Sequence, residues 1–417
     1  MTEPFALLRG RVTDHFGRSP PERLGVAVSG GSDSLALLVL LADWAAQGGP
    51  RVEAVTVDHG LRPGSAQEAQ YVAGICADLG VPHHVLSWTG WDGAGNLPDR
   101  ARRARYDLMS GWARDHDVPL VAVAHTLDDQ AETFLMRLAR EAGVDGLSAM
   151  TPRWTVGGVE FCRPVLKVTR SELRSLLSAR SLEWIDDPTN DDAAYDRTRA
   201  RQALEALAPL GISARTLFNV ARTMENVRET LNWYVFLAAK DLARFQSGDI
   251  VITRKGFRTL PREIARRLMQ HALMWVSGAD YAPRRRSMDI LLEAVRGGTG
   301  MPLHGCLVTL CADAIRISRE AQAVRQMTAE PGQPWDGRWR LSGPWPAGAV
   351  VAMLGQAGLS QIDKDIRSDL PAASLLASPA VWRDDVLLAA PVAGLGNGWT
   401  AELLRDEDHF FAALLSH

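Results

Sequence analysis

Up to about residue 140 the chain alternates between two kinds of hydrophobic stretch. Residues 24–28 form a short apolar run that reads as a buried parallel strand, and 52–57, 81–88 and 120–124 read as three more strands. Stretches of helical length lie between and after them, at 35–46, 65–79, 96–115 and 128–140. The first is apolar enough for a buried helix, and Pro98 falls in the first turn of the third, where proline is tolerated. Strands separated by helices predict βαβ units with right-handed crossovers, hence an α/β fold with a doubly wound, Rossmann-like parallel sheet. Ligands of such sheets bind beyond the C-terminal ends of the strands. The polar groups of this sequence gather there: residues 29–34 after the first strand, Asp58 and His59 after the second, and residues 125–132 after the fourth.

Beyond that point the pattern changes. Residues 209–245 read as helical, followed by helices at 261–276 and 283–295 and a strand pair at 307–310 and 314–318. Residues 326–334 carry the Pro, Gly and Gln of a linker. The remainder is rich in Trp, Pro and Gly and reads as a small, mixed or mostly β module. The expected organisation is three domains: a catalytic one at 1–208, a mostly helical one at 209–320 and a small one at 335–417. Trp335, Trp339, Trp345, Trp382 and Trp399 fit base stacking, but core packing is the better account for most of them.

Ser29-Gly30-Gly31-Ser32-Asp33-Ser34 joins the first strand to a helix. That is the geometry of a phosphate cradle: glycines let backbone N–H groups converge, and the helix start adds partial positive charge. Ser29, Ser32 and Ser34 add hydroxyls, while Asp33 suits a helix cap or a metal ligand. The Lys-Ser/Thr pair of a P-loop is absent. Asp58 stands where an acid at the second strand meets a ribose or an adenine edge, or merely closes a turn. Arg102, Arg103, Arg105 and Tyr106 share helix faces in pairs, a solvated basic surface or a binder of phosphate. In His125-Thr126-Leu127-Asp128-Asp129-Gln130-Ala131-Glu132-Thr133, Asp128 and Glu132 are four apart on one face and Asp129 lies beside them. Acids in a first helical turn are ordinary dipole partners, yet three of them plus a histidine at a strand end suit Mg²⁺ or a substrate ammonium group.

The hexapeptide resembles the loop of the PP-loop, or N-type, ATP pyrophosphatases, and the later motifs narrow the resemblance to the tRNA(Ile)-lysidine synthetase family. Asp58-His59-Gly60-Leu61-Arg62 resembles its V-D-H-G-L-R element, the segment ending at Arg105-Tyr106 its A-R-x-x-R-Y, and residues 125–133 its H-x-x-D-D-Q-A-E-T. Arg163-Pro164-Val165-Leu166 is similar to its R-P-L-L segment, and Trp184-Ile185-Asp186-Asp187-Pro188-Thr189-Asn190 to its W-x-E-D-x-S-N. Arg197 and Arg201 match an R-N-x-I-R pattern from which Thr198 and Ala200 depart, and Glu141 replaces a glycine of the R-G-x-G-x-x-G-L turn. The matches run from about residue 24 to 201.

The resemblance implies that ATP adenylates the C2 oxygen of the wobble cytidine in a CAU-anticodon tRNA(Ile). L-lysine then attacks C2 through its ε-amine and AMP leaves. It implies ATP binding by Ser29, Gly30, Gly31, Ser32, Asp33, Ser34 and Asp58, with Mg²⁺ on Asp33. Asp33, Asp58, His125, Asp129 and Arg201 would be catalytic, and Arg105, Asp128, Asp129, Glu132 and Arg197 would bind substrate. A homodimer is compatible with this reading. A tRNA thiolase or an ammonia-using amidoligase of the same superfamily is the alternative, and a non-catalytic RNA binder would leave the loop and the acids unexplained.

Composition changes this picture only locally. The chain has 46 basic and 49 acidic residues, a net charge of −3, but residues 201–300 hold sixteen basic against nine acidic ones. That surplus suggests one local anionic partner, with Arg266, Arg267 and Arg284, Arg285 and Arg286 as candidate phosphate contacts. Cys76, Cys162, Cys306 and Cys311 are scattered without a C-x-x-C pair, which disfavours sulfur chemistry and a disulfide framework. No apolar run reaches membrane-spanning length and residues 1–23 lack signal-peptide order, so a cytoplasmic location without membrane association is expected.

Overall fold

The computed structural model describes residues 5–60, 64–89, 97–186, 196–279 and 281–415. Leu61, Arg62 and residues 187–190, parts of the motifs above, lie outside these. The chain divides into two compact units, Met1–Arg228 and Glu229–Ser416.

In the first unit the strands are β1 (Arg23–Ala27), β2 (Arg51–Asp58), β3 (His83–Ser87), β4 (Leu120–Ala122), β5 (Arg153–Val156) and β6 (Val159–Cys162). The helices are α1 (Ala6–Thr13), α2 (Ser32–Ala46), α3 (Ser65–Asp78), α4 (Leu97–Asp115), α5 (Leu127–Leu138), α6 (Val144–Leu147), α7 (Arg170–Ala179) and α8 (Asp196–Leu207). The sheet order is β3-β2-β1-β4-β6-β5. All neighbours are parallel except β5, which returns antiparallel on β6 as the edge. Val26 of β1 pairs with Ala54 on one side and Ala122 on the other, so β1 is the central strand.

Helices cover both faces. Leu8 and Val12 of α1, the apolar length of α2, Val72 and Ile75 of α3, and Leu173, Leu176 and Leu177 of α7 share one core. Tyr106, Met109 and Trp112 of α4 build the other with Val121 and Phe161. Because α2 is enclosed by the sheet and by α7, its apolar residues run around the helix instead of forming a stripe. Gly25 lets α4 approach β1 closely: a Cβ there would lie 3.0 Å from the Trp112 ring. The chain runs outward from β1 to β3 on one side and continues with β4 and β6 on the other. The order therefore reverses between β1 and β4, which opens a crevice at their C-terminal ends.

The division between units falls inside α9 (Ala214–Leu242). In the second unit β7 (Ala243–Gln246), β8 (Asp249–Thr253), β9 (Met301–Leu303), β10 (Cys306–Leu310) and β11 (Ala314–Arg319) form an antiparallel sheet of order β7-β8-β11-β10-β9. After α10 (Arg254–Thr259), helices α11 (Arg262–Ser277) and α12 (Arg285–Gly297) share its core. The expected helices and the β10–β11 pair are present, but they belong to an α+β layer. Its β7–β8 hairpin turns on Ser247 and Gly248, both at positive φ, the backbone of a tight two-residue loop.

The C-terminal part holds a four-stranded sheet built on Ala349–Met353 and Pro379–Arg383, and the pair Trp339–Ser342 with Thr400–Leu403. Trp335, Trp339 and Trp399 are buried in its core, with Trp345 edge-on to Trp399 at 4.3 Å, so these rings pack inward. The last helix, Glu407–Leu415, lends Phe410, Phe411 and Leu414 to the core of α11 and α12. The last helix thus packs into the core of the middle part, while the C-terminal sheets keep cores of their own.

Candidate active site

The crevice holds a cavity of about 970 Å³. Its loop, residues 29–34, begins where β1 ends. Gly30 has φ +85°, and a Cβ on it would meet the Ile185 terminal methyl at 2.8 Å, so any other residue there is strained. The Ile185 N–H donates to the Gly30 carbonyl at 3.0 Å, tying the segment after α7 across the loop. Ser34 Oγ accepts from the Ser29 N–H at 3.1 Å and donates to the Gly31 carbonyl at 3.0 Å, which folds the loop onto itself. Helix α2 starts at Ser32 with Gly31 as N-cap and no capping side chain. Its first-turn N–H groups are left for an anion at the positive end of a 15-residue helix.

Asp33, in that first turn, accepts from Arg170 Nε at 3.0 Å and from Ser32 at 3.3 Å. Burial raises its pKa above the usual carboxylate value, against the pull of Arg170. Asp58 ends β2 and lines the cavity, accepting from the Gly60 N–H at 2.8 Å; that bond holds its pKa down. His59 beside it also lines the cavity, edge-on to Trp88.

Thr126 and Asp129 form a capping box at the start of α5. Asp129 Oδ2 accepts from the Thr126 N–H at 2.8 Å and hydroxyl at 2.9 Å, and Oδ1 accepts from Arg170 at 3.1 Å. Burial disfavours its charge, but Arg170, His125 and the cap outweigh burial and lower its pKa. Asp129 therefore fills both its ordinary capping role and a place in the cavity wall.

The other two acids sit differently from the expectation that they meet substrate. Asp128 accepts from the Arg170 backbone N–H at 2.8 Å, capping α7, and is not part of the cavity wall. Glu132 is buried behind the arginines: Oε1 accepts from Arg201 Nε at 2.6 Å and lies 3.5 Å from Arg170, while Oε2 has no partner among the described residues. Burial and the nearby Asp129 raise its pKa, with Arg201 opposing. The cavity is lined instead by Arg201, Arg197 and Arg105, together with His125 and residues 29 and 31–34.

Helix α7 and its arginines have no counterpart in the expectation from the sequence. Arg170 reaches Asp33, Asp129 and Glu132, placing one guanidinium among three carboxylates from α2 and α5. Arg174, one turn on, lies 3.3 Å from Ser32 Oγ and 3.2 Å from Asp186. The signal that could have found them is Thr169-Arg170-Ser171-Glu172, which forms a second capping box and announces the helix that carries them.

A PP-loop domain profile matches residues 8–207. The chain is 52% identical to the tRNA(Ile)-lysidine synthase of Ruegeria pomeroyi over 402 residues, covering 96% of each. It belongs to the tRNA(Ile)-lysidine synthase family. The enzyme of that name from Wolbachia pipientis is 33% identical, covering 88% of each chain. Among solved structures, the U34-tRNA thiolase NcsA of Methanococcus maripaludis, with its [4Fe-4S] cluster, aligns at 17% identity and a TM-score of 0.46, covering 52% of this chain and 77% of that one. Membership makes the protein a PP-loop, ATP-using ligase of tRNA modification and favours the lysidine-forming reading over a thiolase or an amidoligase. Among the described residues no helix is long and apolar enough to cross a membrane.

Proposed function

We propose that the protein joins the ε-amine of L-lysine to C2 of the wobble cytidine of tRNA(Ile) bearing a CAU anticodon, in the cytoplasm. The cytidine O2 attacks the α-phosphorus of ATP and pyrophosphate leaves; the amine then displaces AMP from C2. The carbonyl oxygen is a poor leaving group until it carries AMP, which fixes this order.

The observation that carries the reading is one cavity in which an uncapped helix start, Asp58 and Asp129 converge at the sheet's reversal point. The N–H groups of α2 suit the phosphates, and Asp58 the ribose or adenine edge. Asp129 is the acid of the cavity wall that suits the lysine ammonium, while Glu132 works from behind by holding Arg201. Arg105 and Arg197 offer charge to the RNA. No group of three or more His, Cys, Asp or Glu among the described residues could hold a metal by itself. Mg²⁺ commonly takes one or two carboxylates plus phosphate oxygens, so Asp33 fits as its protein ligand, and the ion would neutralise phosphate charge. The middle and C-terminal parts bind the rest of the tRNA.

The test incubates the protein with ATP, L-lysine and CAU-anticodon tRNA(Ile), then analyses the nucleosides by mass spectrometry. Expected are lysidine at the wobble position and stoichiometric AMP and pyrophosphate. Pyrophosphate release with no lysine in the nucleoside would overturn the substrate assignment.

A further inference from the structure

Arg163 Nε donates to Nδ1 of His125, a residue of the cavity wall, at 3.1 Å. A guanidinium donates and cannot accept, so Nδ1 must carry a lone pair and the ring proton sits on Nε2. We propose that Arg163 locks His125 as the neutral Nε2–H tautomer, making it a fixed hydrogen-bond donor to an acceptor oxygen of the bound substrates and not a base for the attacking amine.

The lock is built into the fold. Arg163 directly follows β6, is buried, donates to the Thr151 carbonyl and lies 3.7 Å over the Trp154 ring, so its fork has little freedom. His125 follows β4, the neighbour of β6, and lines the cavity. The charged groups facing it are Arg163, Arg105 from α4 and Arg197 from α8, against Asp129 from α5. Burial opposes a proton on Nδ1, and three cations against one anion act the same way, taking the pKa down to about 3. Arg163 is thus a positioning residue, acting through His125. The identity of the acceptor rests on the proposed function; the tautomer does not.

The experiment uses the full chain labelled with ¹⁵N-histidine, His125 being assigned by its absence in His125→Gln. The wild type is expected to show an unprotonated Nδ1, a protonated Nε2 and no titration between about pH 5.5 and 8.5. Arg163→Met is expected to bring His125 into titration in that range or to mix its tautomers. Arg163→Lys, which keeps a buried donor, serves if the methionine variant does not fold, and is expected to weaken the tautomer preference. In lysine-dependent release of AMP from the adenylated tRNA, the step in which the amine attacks, His125→Gln retains a donor and should stay within about tenfold of wild type, the scale of one hydrogen bond. Loss of a proton-transfer group costs about 10²–10⁴-fold. A protonated Nδ1 or a titrating His125 in the wild type would overturn the proposal. So would an unchanged tautomer in the folded Arg163 variants, or a loss of about 10²-fold or more in folded His125→Gln. Because the spectra need no substrate, failure of the tautomer and failure of the lysidine reading are separate results.

Discussion

Arg170 is the residue whose removal should disturb the site most. Its side chain is about 20% exposed and serves Asp33, Asp129 and Glu132 at once. Truncating one partner of a buried ion cluster leaves the others uncompensated, at a cost of about 3–5 kcal/mol. Arg170→Met should therefore unfold at clearly lower temperature and lose most pyrophosphate release, with Arg170→Lys intermediate. The pH dependence contributed by Asp129 should also change sign. In the wild type Asp129 has a lowered pKa, so its contribution is full above the unfolded value of about 3.9 and lost as pH falls through the lower folded value. Without Arg170 the three acids repel, their folded pKa values rise, and the folded state binds more protons than the unfolded one. Stability of the variant should then increase as pH is lowered from 8 towards 5. A melting-temperature series against pH checks this, and parallel wild-type and variant curves would sink it. Residues 29–34, Asp58 and His125 are legible in the sequence because each lies at or just beyond the C-terminal end of a strand. Arg170 is not: it meets Asp33 across 137 positions, and a lone arginine carries no spacing signal.

At the scale of elements, legibility follows length. The long apolar α2 and the four parallel strands β1 to β4 are readable, as are α11 and α12. The β5–β6 hairpin, four residues per strand, is too short to show a period, although Val156-Gly157-Gly158-Val159 is a two-residue turn signal with both glycines at positive φ. That hairpin matters to the site because β6 delivers Arg163. The loop is the element most open to a backbone test. Gly30→Ala places a side chain at φ +85° and against Ile185, an arrangement costing about 1–3 kcal/mol. Relief would come by shifting the loop, so ATP-to-AMP turnover should fall by more than the small loss in stability explains. Pyrophosphate release in the folded variant, set beside its melting temperature, measures both. Wild-type turnover would mean that the loop's backbone does not cradle phosphate.

Across the whole molecule the question is how one tRNA is chosen, because a single cytidine carries too little information. The basic surplus of residues 201–300 points to the middle part, and the structure divides its candidates. Arg267 is buried, donating to Glu263 at 2.9 Å and Asn232 at 3.1 Å, and Arg266 is engaged by Glu263 and Gln270. Burial sets these two apart, and that cannot be read from arginine spacing on a helix. Arg284, Arg285 and Arg286 are exposed at the start of α12, where three cations face the positive end of the helix. Such an arrangement is relieved by an anion. Phosphate contacts of this kind position an RNA without reading its sequence. Replacing all three by Ala should therefore weaken binding to every tRNA alike. The slope of log affinity against log salt should become shallower by about 0.7–0.9 for each phosphate that the variant no longer neutralises. Arg267→Ala is the contrast: it should lower the melting temperature and leave the slope alone, because its guanidinium is spent inside the fold. A salt titration of tRNA binding for the two folded variants separates the roles, and an unchanged slope in the triple variant would put the RNA on another surface of the second unit.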